Sequence, residues 1–411
     1  MKRSVPEPEA RKNHNPEQKD HHQRYLRIWR FLYAVAHRFI CRKFNLTHDE
    51  IRIDGPMILI PNHVTNWDPL IVGMSLRYKQ AYFVATEHIF RLGFVSKLLN
   101  FVFGPIARPK GGSSLDAVRK MMDHFRKGHS VCLFAEGEAT WDGQTHPVFP
   151  ATGKLVRMSG ATLVTYRIEG GYLSLPRWTA KARRGAVHAH AVNVYPPEML
   201  KKMTASEINA AIEKDLSEDA FRRQKEHPVS YRSKAPAEHL ERLFYLCPRC
   251  RKIGTIHSEK DRLFCSCGLK TRFTDLGFFD PAVSFEGSPA FETVLQWNLW
   301  QKEELKRRYA QEFSHESREF LFSDAALQFN RVTAAHETVS LGTVPIVLYP
   351  DRLKLGGREF LLQEISDMAM VQAHRLLFTA KNDYYEVVSP KKGCINLRKY
   401  LDLWQAVRSV I

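Results

Sequence analysis

Long apolar runs are absent from this chain of 411 residues. No stretch approaches the roughly 18 uninterrupted apolar residues of a spanning helix, so an ordinary transmembrane helix is not expected. The first twenty residues, MKRSVPEPEARKNHNPEQKD, lack both an apolar core and a small-residue cleavage site. A secretory leader is therefore not expected, and the protein should reside in the cytoplasm. Cysteine is scarce and odd in number, seven in all, which argues against a disulfide framework in a chain of this length. Acidic residues are also in short supply, 44 against 61 Lys and Arg, for a net charge of +17. That excess points to an acidic partner: a nucleic acid, an anionic membrane surface, or an acidic carrier or ligand.

What is present divides into segments. Residues 1–20 are polar and Pro-rich and read as a disordered arm. Residues 21–45 read as an amphipathic membrane-interface helix, with Tyr25, Leu26, Ile28, Trp29, Leu32, Tyr33, Ala36, Phe39 and Ile40 on an apolar face among many arginines. The alternative is a surface helix packed on the main domain. Residues 46–203 alternate short β-rich runs with helical stretches, as an α/β domain does, with IRIDG and MILIP as the first two strands. A helical extension or linker, 204–243, follows. Residues 244–282 carry four cysteines, 283–315 form a helical connector with its helix from about Ser288, and 316–411 are mainly β with a terminal helix.

The chemistry begins at PNHVTNWDP, where His63 and Asp68 form an H-x4-D arrangement after an apolar strand. Residues five apart on a continuous helix point about 140° away from each other, so their contact requires a turn. Asp68 followed by Pro69 suggests one, with Asp68 as the N-cap of a new helix. A His held by that carboxylate has its other nitrogen free to take a proton from a substrate hydroxyl. Alternatively, the Asp only caps and the His only packs.

Three further motifs follow in order: GPIARPKGG at 104–112, FAEG at 134–137, and the β-run TLVTYRI. With PNHVTNWDP these make residues 50 to about 200 resemble the glycerolipid acyltransferase family, which includes the lysophosphatidate acyltransferases. The resemblance implies a mixed sheet flanked by helices, with direct acyl transfer from acyl-CoA or acyl carrier protein to a lipid hydroxyl. It implies His63 as general base and Asp68 as its orienting partner. It also implies Asn62, Gly104, Arg108, Lys110, Glu136 and Gly137 around the acceptor. The acceptor this resemblance implies is 1-acylglycerol-3-phosphate, giving phosphatidic acid. The third block departs from the family's F-P-E-G-T-R: Ala135 replaces Pro, and Glu138 and Ala139 stand in place of Thr and Arg. Lys110, Arg157 or Arg167 are the candidates to restore that charge; alternatively, the acceptor is zwitterionic or otherwise unusual.

CPRC and CSCG place Cys247, Cys250, Cys265 and Cys267 as two close pairs separated by 14 residues. This is the layout of a zinc ribbon, with four thiolates on one structural Zn²⁺ and no open position; the alternatives are free thiols or a redox pair. The C-terminal run of strands ending in KYLDLWQAVRSV resembles a pleckstrin-homology-like barrel. Together these features predict a peripheral membrane acyltransferase on the inner face of the membrane, with lysophospholipid and membrane phospholipid as partners and nucleic acid not among them. The alternative is a catalytically altered adaptor that binds membrane, protein or nucleic acid through its zinc ribbon and C-terminal segment.

Overall fold

The computed structural model describes residues 16–86, 100–108, 115–285, 288–314, 320–333, 337–381, 383–390 and 395–408. The expected disordered arm lies outside these through residue 15. From residue 16 the chain is already helical, in α1 (Pro16–Phe44). Trp29, Tyr33, Ile40 and Phe44 bury one face of α1 in the core. Trp29 donates its indole N–H to the Leu76 carbonyl, and Tyr33 its hydroxyl to that of Met74. The apolar residues continue around the helix: Phe31, Val35 and Phe39 are 70, 65 and 61% exposed. Phe39 was expected on the face of Trp29, but spacings of four residues align it instead with Phe31 and Val35.

The first strand is β1 (Leu46–His48), not IRIDG, which forms an irregular turn around Gly55. Then come β2 (Met57–Pro61), α2 (Asp68–Met74), β3 (Ala81–Thr86), β4 (Ile106–Arg108), α3 (Leu115–Arg126), β5 (Ser130–Cys132), α4 (Thr152–Ser159), β6 (Thr162–Glu169) and β7 (Val187–Tyr195). The sheet order is β1-β7-β6-β2-β5-β3-β4. Only β6 and β7 pair antiparallel, so this is the expected mixed sheet. β2 is buried at every residue, as a central strand covered on both faces must be. The expected helix HIFRLGFVSKLLN lies outside the described residues, apart from Asn100 at its end, where the chain is helical.

Residues 204–243 contain α5 (Ala205–Leu216), opened by a Thr204–Glu207 capping box, and α6 (Ala220–Glu226). The cysteine segment contributes strands β8 (Ile256–Glu259), β9 (Arg262–Cys265), β10 (Lys270–Phe273) and β11 (Phe279–Asp280) to a small antiparallel sheet. A hairpin of β12 (Val283–Phe285) and β13 (Ser288–Phe291) precedes α7 (Val294–Ser314). The helix thus begins six residues later than expected.

The C-terminal strands are β14 (Phe322–Val332), β15 (Thr338–Leu348), β16 (Arg352–Leu355), β17 (Arg358–Leu361), β18 (Ile365–Val371), β19 (Arg375–Ala380) and β20 (Asp383–Val388), followed by α8 (Arg398–Arg408). They form one antiparallel sheet in the order β17-β16-β15-β14-β20-β19-β18. Among the described residues, one of two buried cores extends from Trp29 on α1 through Trp297 on α7 to Val407 on α8. The C-terminal segment is therefore packed onto the α/β domain.

Candidate active site

The C-terminal ends of parallel strands share one edge of an α/β sheet, and side chains on the following loops converge there. Here that edge carries His63 after β2, Arg108 at the end of β4 and Glu136 after β5. The His63 Nδ1 lies 2.7 Å from Asp68 Oδ2. Asp68 is fully buried and also accepts from the Val64 amide (2.6 Å), the Thr65 amide (2.9 Å) and the Thr65 hydroxyl (2.8 Å). It is not the N-cap; that residue is Trp67, without a side-chain bond, and Asp68 is the first helical residue. The carboxylate turns back because the loop before it presents amide donors that have no other partner.

With a carboxylate at Nδ1, that nitrogen carries the proton and Nε2 presents its lone pair. Nothing among the described residues bonds Nε2, and the ring is 19% exposed. Its face stacks on Phe134, with centroids 4.4 Å apart. The loops are locked together: Glu136 accepts the His63 amide at 2.7 Å and the His146 amide at 2.8 Å, while the Thr140 amide donates to the His63 carbonyl. Glu136 therefore ties the backbone of His63 to that of His146, with one oxygen on each.

Burial holds the Glu136 carboxyl up at about 8, with Asp68 and Glu138 adding in the same direction. A carboxyl raised from 4.5 stabilises the fold fully below about 4.5, and that contribution is lost as pH rises through about 8. The denaturation midpoint of the wild type should therefore fall more steeply between pH 5 and 8 than that of Glu136→Gln. Parallel urea titrations of the two proteins check this, and equal slopes would count against it.

The remaining candidates differ in position. Asn62 clamps β6, donating to the Ile168 carbonyl and accepting the Ile168 amide, so both ends of its amide hold backbone. Gly104 has φ +51 and lies under the Tyr25 ring of α1. Gly137 has φ +83, and a Cβ there would stand 2.5 Å from the Phe149 ring. That ring carries Arg108, whose guanidinium is 4.5 Å from its centroid. Desolvation lowers the Arg108 pKa, opposed by Asp367 of β18. Lys110 lies outside the described residues.

Neither described candidate for the lost third-block charge faces this loop. Arg157 is exposed on α4, and Arg167 donates to the Asp215 carbonyl. The cation there is Arg177, which no local motif marked. It donates to Glu138 at 2.9 Å, to the Ala139 carbonyl at 2.8 Å and to the Met370 carbonyl of β18 at 3.2 Å. Ala139 itself is buried.

The four thiols of Cys247, Cys250, Cys265 and Cys267 lie within 4.8 Å of one another. Two sulfur pairs are 3.7 and 3.8 Å apart, close to the edge of about 3.8 Å expected for sulfurs placed ~2.3 Å from one tetrahedral zinc. The donor set fits that ion.

Two comparisons with known proteins overlap this site. The crystal structure of the 1-acyl-sn-glycerophosphate (LPA) acyltransferase PlsC from Thermotoga maritima is similar at 14% identity, over 49% of this chain and 83% of that one, with a TM-score of 0.39. The Acyltransferase family model matches residues 31–169, about a third of the chain, which include His63, Asp68, Arg108 and Glu136.

Proposed function

We propose that the protein is a peripheral membrane enzyme that acylates the free hydroxyl of a lysophospholipid, with 1-acylglycerol-3-phosphate as the favoured acceptor. The observation that carries this reading is the His63–Asp68 contact, with Asp68 buried under four donors and Nε2 of His63 left unbonded. The acceptor hydroxyl loses its proton to Nε2 as its oxygen attacks the thioester carbonyl carbon. Asp68 stabilises the imidazolium so formed. Collapse of the tetrahedral intermediate breaks the C–S bond, and the thiolate takes the proton back from Nε2. Acyl-CoA or acyl carrier protein serves as donor. Arg108, at the end of β4 on the same strand edge, is read as a cation for the head group, and Glu136 and Gly137 position His63 and Phe149. The test is incubation of purified protein with an acyl thioester and a panel of lysophospholipids, followed by mass spectrometry of the lipids. Absence of any acylated product would favour the adaptor reading.

The outward face of α1 supports membrane association. Phe31, Val35 and Phe39 stand beside a cleft of about 1270 Å³ edged by Arg38, Arg42, Lys43, Arg184 and Arg232. Apolar side chains that insert and cations that meet anionic head groups belong together on an interfacial surface, and each cation adds about 1 kcal/mol near such lipids. Among the described residues, no helix is long and apolar enough to cross a membrane. Replacing Phe31, Val35 and Phe39 with Ser should move the protein from the pellet to the supernatant in sedimentation with anionic liposomes, with thermal stability unchanged. Undiminished pelleting would place the anchor elsewhere. Trp29 is unsuitable for this test because it packs in the core.

The cysteine segment is read as a zinc ribbon with one structural Zn²⁺. The seven-stranded antiparallel sheet followed by α8 supports a pleckstrin-homology-like reading of the C-terminal segment, which here braces the site through Arg177 and β18.

A further inference from the structure

Several buried donors near the third block have no acceptor: Nε1 of Trp141, Nε of Arg177 and Nη1 of Arg398. Native interiors pair almost all such groups, so a cluster of them beside a cavity marks a place for acceptor atoms. Trp141 and Arg398 line a cavity of about 220 Å³, together with His146 and Lys302. Arg398 is 2% exposed, and its guanidinium lies 5.2 Å from the Trp141 ring centroid. Lys302, on α7, has no acidic partner among the described residues. Two acids also face the cavity, and both are engaged. Glu138 holds Arg177, and Asp402 accepts the Tyr245 hydroxyl at 3.1 Å, with Arg398 Nε at 3.5 Å.

This cavity adjoins the candidate active site. Its His146 donates a backbone amide to the same Glu136 carboxylate that holds the amide of His63. Its volume is below the roughly 300–1,000 Å³ of pockets that enclose drug-sized ligands, so it suits a head group rather than a whole lipid. Converging ammonium, guanidinium and indole N–H donors match a group with several anionic acceptor oxygens.

We propose that the cavity is a phosphate site, in which Lys302 of α7 and Arg398 of α8, with the Trp141 indole, bind the phosphomonoester of the acyl acceptor. The charge missing from the third block at Ala139 is thus supplied from the C-terminal segment. Naming the acceptor rests on the acyl-transfer reading; the phosphate site itself does not.

The test uses the full chain and isothermal titration with inorganic phosphate and with glycerol 3-phosphate. Each should bind the wild type with one site per chain. Lys302→Ala, a partly exposed position, should weaken binding about tenfold or more, as loss of a charge-assisted contact implies. Lys306→Ala, one turn along α7, removes the same charge and should leave binding unchanged. Arg398→Gln should abolish binding, with circular dichroism reporting whether that variant is folded. In transfer assays Lys302→Ala should raise the KM for lysophosphatidate by a similar factor while leaving the donor KM unchanged. Failure of the wild type to bind phosphate, or equal binding by the wild type and Lys302→Ala, would overturn the site. A rise confined to the donor KM would overturn its assignment to the acceptor. If no transfer is seen but glycerol phosphate binding still depends on Lys302, the phosphate site stands and the acyl-transfer reading fails.

Discussion

Replacement of His63 by Ala is expected to lower acyl transfer by about 10³-fold, within the range of 10² to 10⁴ for loss of a general base. The fold should survive, because the ring is partly exposed and its chief packing partner is Phe134; the stability cost should be about 1 kcal/mol. Asp68→Asn should differ in kind. Its carboxylate faces two backbone amides, a hydroxyl and the imidazole, and an amide in its place would turn an N–H toward donors. Activity should fall, and the protein should also lose about 1–3 kcal/mol of stability. A transfer assay combined with thermal denaturation separates the two. Near-wild-type turnover by folded His63→Ala protein would remove His63 from the mechanism.

What was legible in the sequence is what local pattern controls. The β2 run MILIP, the turn into α2 at Pro69 and the order of the blocks all depend on neighbours within a few residues, and the structure brings His63 and Asp68 into contact. Spacing also brought the four cysteines together. Contacts between distant segments were not legible. Arg177 lies 39 residues from Glu138, and Met370 nearly 200 residues further on, so no motif could join them. The capping role assigned to Asp68 failed because local rules count the helix's own amides, whereas the carboxylate answered to those of the preceding loop. In AMVQAHRLLFTA no glycine marks a turn, yet Gln372 takes φ +55 and the segment folds as the β18–β19 hairpin. The third block is likewise clearer in three dimensions. An Arg at position 139 would enter a buried site whose carbonyl already holds Arg177, so Ala139→Arg should destabilise this protein rather than restore a family contact.

Removal of metal should have the largest effect on folding. If the four thiolates hold one zinc, the ion supplies order that the short strands β8 to β11 cannot provide alone, and structural zinc binding contributes on the order of 10 kcal/mol in small modules. The effect should not stop at the ribbon. Leu263, Cys265 and Phe273 belong to the same buried core as Trp297 and Tyr400, so losing the metal should loosen the seat of α7 and α8. Cys247→Ser should therefore lower the thermal midpoint and expose residues 244–282 to protease, and chelation of the wild type should do the same. Since Lys302 and Arg398 lie on those helices, glycerol phosphate binding should weaken in parallel, while the His63–Asp68 contact, built within β2 and α2, should persist. Metal analysis should find one zinc per chain in freshly reduced wild-type protein. A value far below one, or a Cys247→Ser protein as protease-resistant as the wild type, would show that packing alone orders the segment.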